Sequence, residues 1–77
     1  MAKDEDILNE GQRIFGGVNY YSPIKGYGFI RREKGRDVFF LWTDAASESI
    51  LIEGSKVSFV LTISSKGPRA NEIKREG

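Results

Sequence analysis

From residue 13 onward, no stretch of the chain carries ten residues with apolar side chains at helical spacing. Short runs rich in Val, Ile, Phe and Tyr are instead cut by clusters of Gly, Pro, Ser and charge. That punctuation predicts five strands, at about 13–22, 26–32, 37–42, 56–64 and 68–74. Pro23 cannot donate to a ladder and pushes Ser22 out of helical space, so Ser22-Pro23-Ile24-Lys25-Gly26 is a turn. Glu33-Lys34-Gly35-Arg36 and Ser64-Ser65-Lys66-Gly67-Pro68 are two more. Between Thr43 and Gly54 the alternation fails, and only this connection is long enough to cross the end of a barrel.

Five short strands, tight turns and one crossing predict an all-β domain closed into a small barrel. A flat sheet of this size would leave edges open and one face unburied. Reading the strands at period two selects a core of Val18, Ile30, Val38, Phe40, Val57, Phe59, Leu61, Ala70 and Ile73. Each large member contributes about 1.5–3 kcal/mol on burial, before conformational entropy is set against it.

The chain has 77 residues, enough for one small domain and too few for a cleft between two lobes. With no Cys and no His it has no disulfide, no thiolate or imidazole metal site, and neither a cysteine nucleophile nor a His-based triad. The formal charge of +1 hides an asymmetry, being −3 over the first ten residues and +4 over the rest. We therefore divide the chain into an acidic N-terminal tail, 1–12, expected to be frayed, and a basic domain, 13–77. The N-terminus lacks the apolar segment of a signal peptide, and no run reaches the ~18 apolar residues of a membrane span. Those features predict a cytoplasmic protein without a membrane partner.

The informative residues lie on the face that is not core. In Lys25-Gly26-Tyr27-Gly28-Phe29-Ile30-Arg31, alternation sets Lys25, Tyr27, Phe29 and Arg31 on one side, with Gly28 and Ile30 on the other. The third strand adds Phe39 and Leu41 to the outer side. Three neighbouring rings in water need a reason. Single-stranded nucleic acid supplies one: bases stack on rings for about 1–3 kcal/mol each, and cations beside the rings hold phosphates. Inverting the faces would bury Lys25 and Arg31, which costs more than burying the rings gains. Gly26 and Gly28 leave room for a close approach by a side chain or a base.

Lys25-Gly26-Tyr27-Gly28-Phe29-Ile30 followed by Asp37-Val38-Phe39-Phe40-Leu41 resembles the paired RNP1 and RNP2 motifs of the bacterial cold-shock domain family. Gly16-Gly17-Val18-Asn19-Tyr20-Tyr21-Ser22 is similar to that family's first strand. Its fourth and fifth strands are matched by Glu53-Gly54-Ser55-Lys56-Val57-Ser58-Phe59 and Gly67-Pro68-Arg69-Ala70-Asn71-Glu72-Ile73. The four blocks stand in the family's order from about Gly16 to Lys74. The resemblance implies a five-stranded antiparallel barrel of the OB type that binds single-stranded RNA or DNA with low sequence selectivity, as RNA chaperones and transcription antiterminators do. It implies a ligand face of Asn19, Tyr20, Lys25, Tyr27, Phe29, Phe39, Leu41 and Trp42, bordered by Lys66 and Arg69. Arg31 joins them from the alternation.

Several positions depart from the family pattern. Asn19 stands where Lys is usual, Tyr20 for Trp, Leu41 for a base-contacting His, and Trp42 for Phe. The connection from Thr43 to Gly54 is shorter by about two residues and offers Ile50 and Leu51 in place of an exposed aromatic. These changes predict weaker binding than that of a typical member. Strict alternation would turn Tyr20 and Trp42 inward, whereas the resemblance turns both outward.

Other classes fit less well. An RNA recognition motif shares the Lys-Gly-Tyr-Gly-Phe signature but needs two amphipathic helices. Asp37, Asp44 and Glu48 sit in turns without a base, metal cluster or phosphate loop beside them, so no enzyme, cofactor or small-molecule substrate is expected. The rival is a protein-interaction module whose apolar face meets another protein. The expected state is a monomer. An acidic tail competing with nucleic acid for the basic face is a further possibility the charges raise.

Overall fold

Alternating side chains and turn residues become strands wherever both faces find a use, and five such segments form here. The computed structural model describes residues 9–77. Most of the acidic tail lies outside the described residues. The order is β1 (Arg13–Ser22), β2 (Tyr27–Arg32), β3 (Val38–Leu41), 3₁₀ turns at Trp42–Asp44 and Glu48–Ile50, β4 (Lys56–Ser64) and β5 (Gly67–Arg75). β1 and β4 have the expected bounds. β2 starts one residue late because Gly26 belongs to the turn, its N–H donating to the Ser22 carbonyl at 2.7 Å. β3 stops one residue early because Trp42 enters a 3₁₀ turn.

The strands close into a barrel in the order β1-β2-β3-β5-β4, with β4 paired back to β1. Four seams are antiparallel. The closing seam, β3–β5, is parallel and holds one register pair, Phe39 with Arg69. Parity dictates this: β4 runs against β1, so β5, returning against β4, travels in the direction of β3. The crossing between Thr43 and Gly54 makes that order possible.

All nine expected core residues are buried, joined by Leu51. Leu51 corrects one expectation from the sequence. Together with Ile50, which packs partly buried against the core, it closes the barrel end instead of replacing an exposed aromatic. Burial removes more apolar area from water than exposure beside the rings would, so the crossing turns both side chains inward. Residues 9–12 extend the β1 edge onto β4. Gly11 N–H donates to the Leu61 carbonyl at 2.7 Å, Leu61 N–H to the Gln12 carbonyl at 3.0 Å, and Ile63 N–H to the Glu10 carboxylate at 3.2 Å.

Two details of the β1–β2 corner position everything on the outer face. At Gly28 a Cβ would fall inside contact distance of the Tyr20 carbonyl oxygen and lie 2.7 Å from Phe40 Cζ, so only glycine lets β1 and the core ring come this close. On the turn from β2 to β3, the buried Arg32 donates from Nε to the Arg36 carbonyl at 2.7 Å. Of the four cations between positions 31 and 36, Arg32 is therefore committed to shaping the turn.

Candidate nucleic-acid interface

Tyr20 reaches the outer face through a break in register. Val18 pairs with Ile30, but Tyr20, two residues on, pairs with Phe29, only one residue back along β2. The extra residue on β1, Asn19, is a bulge, and a bulge resets which way the following side chains point. Val18 therefore stays in the core while Tyr20 stands outward, 39% exposed. Strict alternation fails here for that reason.

The result is a continuous patch of four rings. Tyr20 lies 6.2 Å from Tyr27 and 6.4 Å from Phe29 between ring centroids. Tyr27 and Phe29 are 6.2 Å apart, and Phe39 sits 5.8 Å from Tyr27 and 5.9 Å from Phe29. The β2–β3 register explains the last two, since Phe29 pairs directly with Phe39 and Tyr27 with Leu41. The edge-to-face and tilted contacts hold the rings in place while leaving their outer surfaces in water. Gly28 and Ile30 of the same strand are buried, so the face assignment read from the sequence stands.

Trp42 is outward for a different reason. It is no longer on a strand: its N–H donates to the Gly26 carbonyl at 2.9 Å as the 3₁₀ turn begins. Its indole lies over Gly26, where a Cβ would come within 2.8 Å of Cδ1 and the backbone has φ +75°. Glycine at 26 thus serves both the turn and the seat of a ring that is 53% exposed.

The cations divide into two groups. Lys25 on the β1–β2 turn, Arg31 beyond Phe29 on β2, and Lys66 on the β4–β5 turn are exposed around the rings. Arg69 is held. Its Nε and Nη2 donate to Asp44 Oδ2 and Oδ1, each at 3.2 Å, in the forked geometry favoured by guanidinium and carboxylate. Asp44 Oδ2 also accepts the Leu41 N–H at 2.9 Å, so one carboxylate ties the end of β3 to β5. Arg69, Lys66, Phe29, Phe39 and Leu41, with Ser64, Ser65 and Pro68, line an open concavity of about 580 Å³ beside the ring patch. Asn19, exposed on its bulge, donates from Nδ2 to Asp37 Oδ2 at 2.8 Å.

Asp44 is the residue whose part in this site the sequence did not disclose. A turn aspartate three residues after a strand end is a common backbone acceptor. Its capture of Arg69, 25 positions away, depends on barrel closure. Tyr21 was also unassigned. It stacks on Phe40 with centroids 5.9 Å apart and donates its hydroxyl to Glu48 at 2.5 Å. That hydrogen bond, burial and the Glu48 charge push the phenol up to about 12, so it stays protonated and pins the crossing to β1.

A barrel of this strand order with an aromatic outer face on β1–β3 has close counterparts. The model of the 'Cold-shock' DNA-binding domain matches residues 14–76. The Retron Se72 cold shock-like protein of Salmonella heidelberg is 44% identical over 63 residues, covering 78% of this chain and 94% of that protein. Cold shock-like protein CspA of Vibrio cholerae is 37% identical over 65 residues, covering 80% and 93%. The cold shock-like protein of Thermotoga maritima is 39% identical over 61 residues, covering 77% and 92%. Among solved structures, Drosophila Unr CSD456 superposes with a TM-score of 0.72 at 25% identity, over 97% of this chain and 32% of that one. The chain belongs to the cold-shock domain family, a family of nucleic-acid-binding domains with the OB fold. Among the described residues, no helix is long and apolar enough to cross a membrane.

Proposed function

We propose that this domain binds single-stranded RNA or DNA, with low sequence selectivity, by stacking bases on Tyr20, Tyr27, Phe29, Phe39 and Trp42. The observation that carries the reading is the four-ring patch, unbroken at centroid spacings of 5.8–6.4 Å and open to solvent. A patch of π-faces accepts any base, which is the physical meaning of low selectivity. Lys25, Arg31 and Lys66 meet phosphates around it. Leu41 adds an apolar contact, and Asn19 a polar one from the bulge.

Arg69 contributes less than an unpaired cation would, because Asp44 shares its charge. Asn19 brings no charge at all. The missing charge at Asn19 and the missing imidazole at Leu41 support weaker binding than that of a family member with lysine and histidine at those positions. In a cell, a monomer that covers single strands in this way keeps RNA from pairing with itself, the activity of an RNA chaperone or antiterminator.

Trp42 provides the test, since a base stacking beside it alters its fluorescence. Oligo-dT and oligo-U are expected to change the emission, and a duplex of equal length is not. Affinity should fall with salt at a slope of about −0.7 per phosphate neutralised. A response to a protein partner that is insensitive to salt, with none to either oligonucleotide, would establish the apolar face as a protein-docking surface and end this reading.

A further inference from the structure

The most exposed aromatic ring among the described residues lies outside the patch. Phe15, on β1, is 64% exposed, more than Trp42 or Tyr20. A phenyl ring in water gains nothing for folding, and the sequence pattern assigned it no task. Its neighbours along β1 set it on the outer side. Ile14 packs against the core and Val18 is buried, so Arg13, Phe15 and Gly17 face outward, in line with Tyr20 beyond the bulge. Five residues at ~3.3 Å each put Phe15 no more than ~16 Å from Tyr20 along the strand.

The surface between them is open and partly cationic. Gly17 pairs with Arg31. A Cβ at position 17 would meet only the Ser55 carbonyl, at 3.6 Å, so the floor there is low. Gly17, Asn19, Arg31, Glu53 and Gly54 line a shallow concavity of about 320 Å³. Beyond it, Phe15 borders another of about 430 Å³ together with Arg13, Lys34 and Glu33. The buried Arg32 forms part of its wall and is already engaged in the turn. The first concavity sets one cation, Arg31, against one carboxylate, Glu53, whereas the second has an excess of cations over its single carboxylate and also has a ring.

We infer that Phe15 is an auxiliary stacking subsite that takes a base from the same single strand after it leaves the ring patch across Gly17 and Arg31. The exposed Lys34 faces the phosphates flanking that base, beside Arg13, which is held by donating from Nη1 to Ser58 Oγ at 2.9 Å. The inference rests on the proposed function. It adds a second, separated contact instead of enlarging the first, and footprints of ~4–16 nucleotides per OB fold accommodate both. Continuity with the patch and the sign of the flanking charge favour nucleic acid over a protein occupant.

Strand length separates the two claims. Wild-type protein and the Phe15→Ala and Phe15→Trp variants are titrated with five- and ten-nucleotide oligo-dT, with circular dichroism confirming the fold. Phe15→Ala is expected to weaken binding of the longer strand about tenfold while leaving the shorter within about twofold, and Phe15→Trp to restore the longer. Lys34→Gln should reduce the salt slope by about 0.7 for the longer strand alone. Equal effects of Phe15→Ala on both lengths, or none on either, would overturn the subsite while leaving the patch intact. Wild-type protein that binds neither strand would bring down the patch and the subsite together.

Discussion

Phe39 and Phe40 are the same residue one position apart on β3, and they live in different solvents. Phe40 is fully buried, stacked on Tyr21 and pressed against Gly28. Phe39 sits between Tyr27, Phe29 and the concavity beside Arg69, with one side open to water. The contrast extends across β2, where Gly28 and Ile30 are interior and Tyr27, Phe29 and Arg31 are not. A strand only one residue thick thus keeps the packed core apart from the rings proposed to stack bases. The inner face is crowded at Gly28 to the point of excluding a methyl group, whereas the outer face holds rings that keep one side in water.

Substitutions on the two faces should therefore fail in different ways. The largest effect is expected from Phe40→Ala, which empties the core and costs about 3–5 kcal/mol of stability in a denaturant melt. Gly28→Ala comes next. With no space for its Cβ against the Tyr20 backbone, it should cost at least the ~3 kcal/mol at the upper end of overpacking penalties. If it folds with near wild-type stability, the close approach of β1 and β2 is not what the inner face depends on.

On the outer face, Phe29→Ala should lose about 1–3 kcal/mol of oligonucleotide binding by fluorescence titration with only a modest loss of stability. Unfolding instead would make Phe29 a core residue and erase the distinction between the faces. The smallest effect belongs to Asp44→Asn, which keeps an acceptor for the Leu41 N–H while releasing the charge of Arg69. Binding at low salt should tighten about two- to fivefold, with the salt slope steeper by up to ~0.7. Unchanged affinity would mean that Arg69 does not face the strand.

Much of this was legible in the residues. The nine core positions, the five strands to within a residue at each end, and the outward set Tyr27, Phe29, Arg31 and Phe39 all follow from period-two alternation, which is local. Where alternation misled, the cause was a local break that pattern alone does not locate: the bulge at Asn19 for Tyr20, and the 3₁₀ turn for Trp42. Leu51 was misplaced because burial at a barrel end depends on where a crossing loop lands. The role of Asp44 was missed because its partner Arg69 comes from another strand, 25 positions away.

The sequence by itself determined which side chains alternate, where glycine and proline end a strand, and that rings and cations share one face. These are decided within a few bonds by backbone geometry and by the cost of burying charge. Only the tertiary structure decided which cations remain available and that Arg69 meets Asp44. Those depend on closing β5 against β3 and β4 against β1, contacts between residues far apart in the chain. No local preference encodes such distances. Burial of the shared core sets them, and the outer face inherits its arrangement from that closure.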